Sequence, residues 1–331
     1  MKERYLVTGA AGHLGSAILR DLLDQGKAVR ILILPGEAKL PEGDFEICYG
    51  DVRDKESLRG FFAGAGSTRQ ILIHCAGIVS IASRPLQIVR DVNVAGTKNI
   101  VDLSEEYGID KLVYVSSVHA IPEKPHGETV YETSRFDCSD VVGQYAKSKS
   151  EATAYVLAAA QRGLNASIVH PSGITGPYDF GGGHLTTLVI DYCKGRLRFG
   201  MQGGYDFVDV RDVSKGILSC CEKGRAGDCY ILSNQYYTVK ELLDLLHEVT
   251  GKRRIRIFLP LWFVRLTAPL AELYYRILRQ PPLYTAYSIY TLTTNAVFSH
   301  EKATRELGYE ARAMRETLED TVSWLKSAGR I

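Results

Sequence analysis

Only seven of the 331 residues are cysteine (48, 75, 138, 193, 220, 221 and 229), and no two of them stand in a C-x-x-C pair. An odd number without ligand spacing argues against a disulfide framework and a zinc site, and leaves scattered reduced thiols in the interior. Excess charge is lacking too. Forty Lys and Arg face 38 Asp and Glu, for a net charge of +2, and no basic stripe is interleaved with aromatics, so no nucleic-acid partner is expected. The run Lys252-Arg253-Arg254-Ile255-Arg256 is short and reads as a solvated segment. No apolar run reaches membrane length: the best stretch, 259–278, is broken by Arg265, Glu272, Arg276 and two prolines, so no membrane insertion is expected. Met1-Lys2-Glu3-Arg4 leads straight into a strand-like run. That leaves no room for a signal peptide, and the expectation is a soluble cytoplasmic protein.

What is present is alternation. Apolar runs at 4–8, 29–34, 45–49, 70–75, 111–116 and 166–170 read as strands, separated by helical patterns at 14–25, 55–63, 86–107 and 144–162. Continuous apolar strands between helices indicate a parallel sheet buried on both faces. The fold class is therefore α/β, a doubly wound parallel sheet (Rossmann) with a smaller C-terminal substrate-binding lobe. Residues 1–173 form the dinucleotide-binding part, with 205–235 returning to it, and 174–331 are mainly substrate lobe. In that second half glycine- and proline-rich stretches interrupt helical patterns at 185–194, 213–223, 239–250, 268–279 and 314–326.

The first motif is Gly9-x-x-Gly12-x-x-Gly15, directly after a strand and opening a helix, with His13 and Leu14 inside it. Glycine serves first the tight turn, then the close approach of backbone to pyrophosphate, then helix packing. The helix N-terminus adds unpaired N–H groups and a partial positive charge. A carboxylate or an arginine ending the second strand would choose between NAD and NADP. Leu34 stands there, followed by Pro35, Gly36 and Glu37, with Lys39 beyond. NAD is the expected cofactor and NADP stays open.

The second motif is Tyr145-x-x-x-Lys149, preceded by Val115-Ser116-Ser117 at the end of a strand. Tyrosine and lysine four apart share a helix face. Two other Tyr-x-x-x-Lys spacings, Tyr107…Lys111 and Tyr236…Lys240, straddle junctions and follow no strand-end serine pair. To act as a base near neutral pH a tyrosine needs its pKa lowered by roughly three units, about 4 kcal/mol. An ammonium about 4 Å away at an effective dielectric near 20 supplies on the order of 4 kcal/mol. Lys149, helped by an oxidised nicotinamide, is the expected source, and Ser117 would hold the reacting oxygen against Tyr145.

The residues resemble the extended short-chain dehydrogenase/reductase family (the NAD-dependent epimerase/dehydratase superfamily) over essentially the whole chain. The matching pieces are Thr8-Gly9-x-x-Gly12-x-x-Gly15, Gly50-Asp51-Val52-Arg53-Asp54, His74-Cys75-Ala76-Gly77, Asn93-Val94-x-Gly96-Thr97, Val115-Ser116-Ser117, Tyr145-x-x-x-Lys149, His170-Pro171-Ser172-Gly173 and Phe207-Val208-Asp209-Val210-Arg211-Asp212. The resemblance implies that Asp51 and Val52 contact adenine and that Cys75, Ala76 and Gly77 line the ribose–phosphate. It makes Ser117, Tyr145 and Lys149 catalytic, with Lys149 also on the nicotinamide ribose, and sets the Pro171, Ser172 and Gly173 backbone beside the nicotinamide. It implies a homodimer through the 86–107 and 144–162 helices.

Within the family, sugar-nucleotide epimerases and dehydratases usually carry Asn where this chain has Gly173, and a diphosphate-binding Arg where it has Tyr205. The second half instead resembles the 3β-hydroxysteroid dehydrogenase and dihydroflavonol reductase branch, through Leu259-Pro260-Leu261-Trp262-Phe263, Pro281-Pro282 and Phe298-Ser299-x-x-Lys302-Ala303. That branch often ends its second strand with Arg; Leu34 departs from it. The expected activity is an NAD(P)-dependent interconversion of alcohol and ketone on an apolar, ring-bearing small molecule. The alternatives are a sugar-nucleotide epimerase or dehydratase, and a non-catalytic NAD(P)-sensing regulator. His13, His74, His119 and His170 lie in separate elements, so no metal is expected. Trp262, Phe263, Tyr274 and Tyr275 serve either as packing or as a substrate wall, and the polar stretch 121–142 has the character of an active-site lid.

Overall fold

The structure, a computed structural model, describes residues 2–331 apart from 37–39, 65–67, 81–84, 265 and 267–285, and for 286 and 288 the backbone only. Six apolar runs become the strands β1 (Glu3–Thr8), β2 (Ala28–Ile33), β3 (Glu46–Tyr49), β4 (Arg69–His74), β5 (Lys111–Val115) and β6 (Ala166–Pro171). They are joined by helices α1 (His13–Asp24), α2 (Arg59–Phe62), α3 (Gln87–Arg90), α4 (Thr97–Tyr107) and α5 (Gln144–Gln161). The 86–107 pattern is not one regular helix: between α3 and α4 the run Asp91–Gly96 is a π-helix. Asn93 is the cause in part. It is fully buried there and its amide bonds both the N–H and the carbonyl of Ile78 (2.8 and 3.0 Å). Such bulges collect at functional sites.

The second half adds β7 (Gly173–Thr175), α6 (His184–Cys193), β8 (Gly200–Met201), β9 (Gly204–Asp209), α7 (Val210–Lys223), β10 (Cys229–Leu232), β11 (Gln235–Thr238), α8 (Val239–Thr250) and β12 (Phe258–Leu259), then helices Ala286–Thr291, Glu301–Leu307 and Met314–Ser327. The helical pattern at 268–279 lies outside the described residues. One seven-stranded sheet runs β10-β6-β5-β4-β1-β2-β3, every pairing parallel. The order reverses between β1 and β4, which opens a crevice at the strands' C-terminal ends. Beside it lie a three-stranded sheet, β11-β9-β7, and the pair β12-β8.

Period-two alternation splits the core. Leu6, Leu72, Leu112 and Ile168 face a cluster with Ile100 and Val101 of α4 and Val156 of α5. Val7, Ile73, Val113 and Val169 face another with Ile18 and Leu22 of α1 and Val213 and Ile217 of α7. No helix among the described residues is long and apolar enough to cross a membrane.

Candidate active site

The turn from β1 to α1 is built by contact rather than by composition. Gly9 has φ 72°, and a Cβ there would stand 2.7 Å from the Ala76 nitrogen. A Cβ on Gly15 would run into the Gly9 carbonyl. Gly12 closes the turn by donating to that carbonyl (3.0 Å) and caps α1 without a side chain; no acid stands in the first turn. The opening N–H groups of α1, which begins at His13 and Leu14, therefore face outward with their partial positive charge uncancelled. The His13 ring itself is committed to the Pro177 carbonyl (2.9 Å).

Thr8 and His74 tie this turn to the next strand. The Thr8 hydroxyl accepts from the Ala76 N–H (3.2 Å) and meets His74 Nδ1 (2.7 Å), while His74 Nε2 meets the Thr97 hydroxyl (3.0 Å). Burial pushes His74 down to about 3, so it is a neutral connector. Toward the sheet edge, the Gly50 N–H donates to Ile33 (3.1 Å), which sets Asp51 beside the half-exposed Leu34. Arg53 grips the Asp51 carboxylate (2.5 Å at the closest) and holds it below the usual carboxylate range. Val52 is buried, in contact range of Gly96, and its carbonyl accepts from Asn99 (2.9 Å). Glu37 and Lys39 lie outside the described residues.

At the C-terminal end of β5 three side chains meet. Tyr145 and Lys149 are both buried, one turn apart on α5, and the buried Ser117 hydroxyl, which accepts from the His119 N–H (3.3 Å), acts on the Tyr145 phenol from the strand end. Lys149 Nζ donates to the Val115 carbonyl (2.8 Å) and lies 5.1 Å from the centre of the Tyr114 ring. His170 Nδ1–H fixes the Ser117 carbonyl (2.9 Å). The other two spacings do not gather such a set: Lys111 sits at the opposite end of β5, and Lys240 is paired with Asp244 (2.8 Å).

In the protein alone the electrostatics favour a protonated phenol. Burial pushes Tyr145 up to about 12, with Ser117 pulling the other way, and pushes Lys149 down to about 8. Removing a phenolate from water is the larger influence on Tyr145, and the Lys149 ammonium is turned to Val115; the expected lowering involves Lys149 together with an oxidised nicotinamide, in the cofactor-bound protein.

Sequence reasoning quoted Asn93 only inside a motif. Its amide also donates to the Ser148 hydroxyl (3.0 Å), and a Cβ on Gly77 would approach Asn93 Oδ1 and Lys149 Nζ at 3.2 and 3.3 Å. Asp206 was missed altogether. It is buried with no cation paired to it among the described residues, accepting from the Ser172 hydroxyl (2.5 Å) and the Asn234 N–H (3.0 Å), and burial raises it to about 6. It carries no motif, and its signal is spatial.

Next to Tyr145 lies an aromatic wall. The His119 ring stacks on Tyr205 (5.5 Å), shares a 3.1 Å hydrogen bond with its hydroxyl, and stands 5.9 Å from the Tyr145 ring. Tyr287 closes against Gly143 and His119. A Cβ on Gly173 would lie 2.9 Å from the Phe207 ring and 3.1 Å from that of Tyr205, so Gly173 and Tyr205 belong together. The cavity here, about 20 Å³, is bounded by His119, Glu123, Tyr205, Tyr287, Tyr290 and Phe298 and has room for one water. The 121–142 stretch supplies part of this wall and is pinned by the Val130 bridge to Phe298 and by Glu132 accepting from the Ile231 N–H (2.9 Å). Trp262 and Phe263 do not line the cavity. Both are exposed, while Tyr274 and Tyr275 lie outside the described residues.

Residues 5–233 match the model of the NAD dependent epimerase/dehydratase family. The chain belongs to that family. It is 32% identical to sterol demethylase protein B of Methylococcus capsulatus, over 98% of this chain and 99% of that one. It is 28% identical to a putative dihydroflavonol 4-reductase of Synechocystis, over 100% and 97%. Among solved structures, that of gox2253 superposes with a TM-score of 0.85 at 29% identity over the whole of both chains. A UDP-glucose 4-epimerase of Thermotoga maritima, solved with UDP-glucose, gives 0.79 at 20% identity over 98% and 99%, and shows the shared fold.

The cradle of this epimerase/dehydratase-family enzyme fits NAD. A glycine turn without Cβ atoms, an uncapped helix N-terminus without acid, and a buried lysine with one protein acceptor among the described residues suit a dinucleotide's phosphates and ribose.

Proposed function

We propose that the protein interconverts a secondary alcohol and a ketone on an apolar, ring-bearing substrate of sterol or flavonoid type. The observation that carries this reading is the Ser117–Tyr145–Lys149 cluster beside a wall of His119, Tyr205 and Tyr287. NAD supplies the hydride acceptor when bound or, reduced, the donor. Ser117 orients the reacting oxygen. Tyr145 exchanges the proton with it: burial keeps the phenol protonated at neutral pH, so it stands ready to give that proton to a ketone oxygen being reduced. Lys149 holds the cofactor's ribose and favours the phenolate in the reverse direction. Gly9, Gly12, Gly15 and the start of α1 take the pyrophosphate, Cys75, Ala76 and Gly77 the adjoining ribose–phosphate, Asp51 and Val52 the adenine side, and Pro171, Ser172 and Gly173 the nicotinamide. NAD is preferred to NADP, since Leu34 directly follows β2 and Arg53 is engaged by Asp51.

The wall's lack of cations supports the substrate class. No Lys or Arg lines the cavity among the described residues, and Glu123 does, whereas a sugar nucleotide would bring a diphosphate that needs cationic partners. The names of the sterol- and flavonoid-related relatives point the same way. A homodimer through the 87–107 helical run and α5, and a substrate lobe drawn mainly from 174–331, complete the proposal. The test is a screen of purified protein with NAD or NADH against steroid and flavonoid alcohols and ketones, beside calorimetric titration with UDP-, GDP- and dTDP-sugars. Turnover of a ring ketone is expected. Micromolar binding of a nucleotide sugar with no turnover of any apolar ketone would replace this reading with an epimerase.

A further inference from the structure

The substrate side leaves one group of side chains unused. Phe199, Ile257, Trp262, Phe263 and Leu266 are large, apolar and exposed, Trp262 and Leu266 at 67% and 70%. The fold gathers them. β8 and β12 pair in parallel with Gly200 opposite Phe258, and the Gly200 N–H donates to the Ile257 carbonyl (3.0 Å), so Arg198-Phe199 and Arg256-Ile257 enter side by side. Two residues after β12 the chain turns helical at 261–264. Leu261 and Val264 pack inward with Met201, Leu259 and Ile289, while Trp262 and Phe263, edge to face at 5.7 Å, stay outside with Leu266.

Cations stand on the two arms that lead into this apolar centre. Lys194, Arg196 and Arg198 on one arm and Lys252, Arg253, Arg254 and Arg256 on the other are all exposed, and neither 194–200 nor 251–266 contains an acid. Two of the seven are paired with acids outside these arms, Arg196 with Asp191 (3.7 Å) and Arg254 with Asp244 (2.6 Å).

We propose that this face docks the protein on the surface of an anionic lipid bilayer. Trp262, Phe263 and Leu266 enter the interfacial layer and Arg198, Arg253 and Arg256 meet the headgroups. A large apolar tip within a cationic collar is the arrangement that holds a protein on such a surface without spanning it. A second copy of the chain fits worse, because a two-fold contact would set one collar against the other. The face is also joined to the site: Ile289 packs with Val264, and its neighbours Tyr287 and Tyr290 line the cavity. The docking stands whether or not the substrate is a sterol, since it rests on the outer surface alone.

The test is co-sedimentation of the full chain with vesicles of phosphatidylcholine and of phosphatidylcholine mixed with phosphatidylglycerol, at low and high salt. The wild type is expected to bind the anionic vesicles at least about tenfold more tightly than the neutral ones, and to release in high salt. Two double variants, Trp262→Ser with Leu266→Ser and Arg198→Glu with Arg256→Glu, should each weaken that binding about tenfold or more. Circular dichroism and NAD affinity should stay unchanged in both. Absence of wild-type binding to anionic vesicles overturns the proposal, as does binding that neither variant weakens. So does a wild type that self-associates in sedimentation velocity while the serine variant is monomeric, which would make the face a contact between copies.

Discussion

The two ends of β5 carry two buried lysines with opposite fates. Lys111 opens the strand, 2% exposed, and its ammonium is filled by Asn165 Oδ1 (3.2 Å), the Ser167 hydroxyl (2.6 Å) and the Gly224 carbonyl (2.7 Å). Lys149 reaches the strand's last residue, 5% exposed, with the Val115 carbonyl as its one acceptor among the described residues. Burial lowers the pKa of both. A shifted pKa therefore does not separate a working residue from a structural one here. The donors left over do: three bonds complete an ammonium, and one leaves two for a ligand. Position agrees, since ligands of such sheets gather at the strands' C-terminal ends.

The comparison breaks first at Tyr145. Tyr145→Phe keeps the ring and removes the hydroxyl proposed to carry the proton, so turnover should fall by about 10²–10⁴-fold with NAD affinity nearly unchanged. Steady-state rates and a fluorescence titration of NADH check this, and near-native turnover would mean that the proton moves elsewhere. Lys149→Met should lower turnover and weaken NAD binding together, because the same ammonium serves both. Lys111→Met should do neither. It should reduce stability by about 1–3 kcal/mol, as buried acceptors lose their donor, read from urea unfolding. If Lys111→Met also weakened NAD binding, the division between the two ends would fail.

How much of this was legible in the sequence follows from the same division. The cradle was readable because its requirements act on neighbours in sequence: Gly9, Gly12 and Gly15 meet one another and the end of β4. Tyr145, Lys149 and Ser117 were readable because a helix face and a strand end are local patterns. The proposed substrate wall was not, since His119, Tyr205 and Tyr287 come from three distant segments and meet only through the fold. Trp262 and Phe263 show the complementary limit: an apolar helical spacing says that a face exists, not which way it turns. The π-turn at Asp91–Gly96 escaped because it inserts a residue into a helix without disturbing its composition.

The smallest expected effect concerns two aspartates of β9. Asp209, fully buried, is matched by Arg211 (2.7 Å) and Arg312 (3.6 Å), and these cations hold it below its usual range. Asp206, three residues earlier and equally hidden, has only the Ser172 hydroxyl and the Asn234 N–H among the described residues, and burial raises it to about 6. A carboxyl whose folded pKa lies above its unfolded value contributes stability below the unfolded pKa, about 3.9, and loses it as pH rises through the folded one. From about pH 5 to about pH 8 the wild type should therefore lose on the order of 1.4 kcal/mol through this group alone. Asp206→Asn can still accept from Ser172 and Asn234 but does not ionise. Its stability relative to wild type should accordingly rise by that amount between the two pH values, whatever offset the substitution brings at the lower one. Urea unfolding of both proteins at each pH isolates the term, because every other titrating group cancels in the difference. A difference that is flat with pH would show that Asp206 ionises near its ordinary value. One that grows toward low pH would mean a cation reaches it after all, and the contrast with Asp209 would vanish.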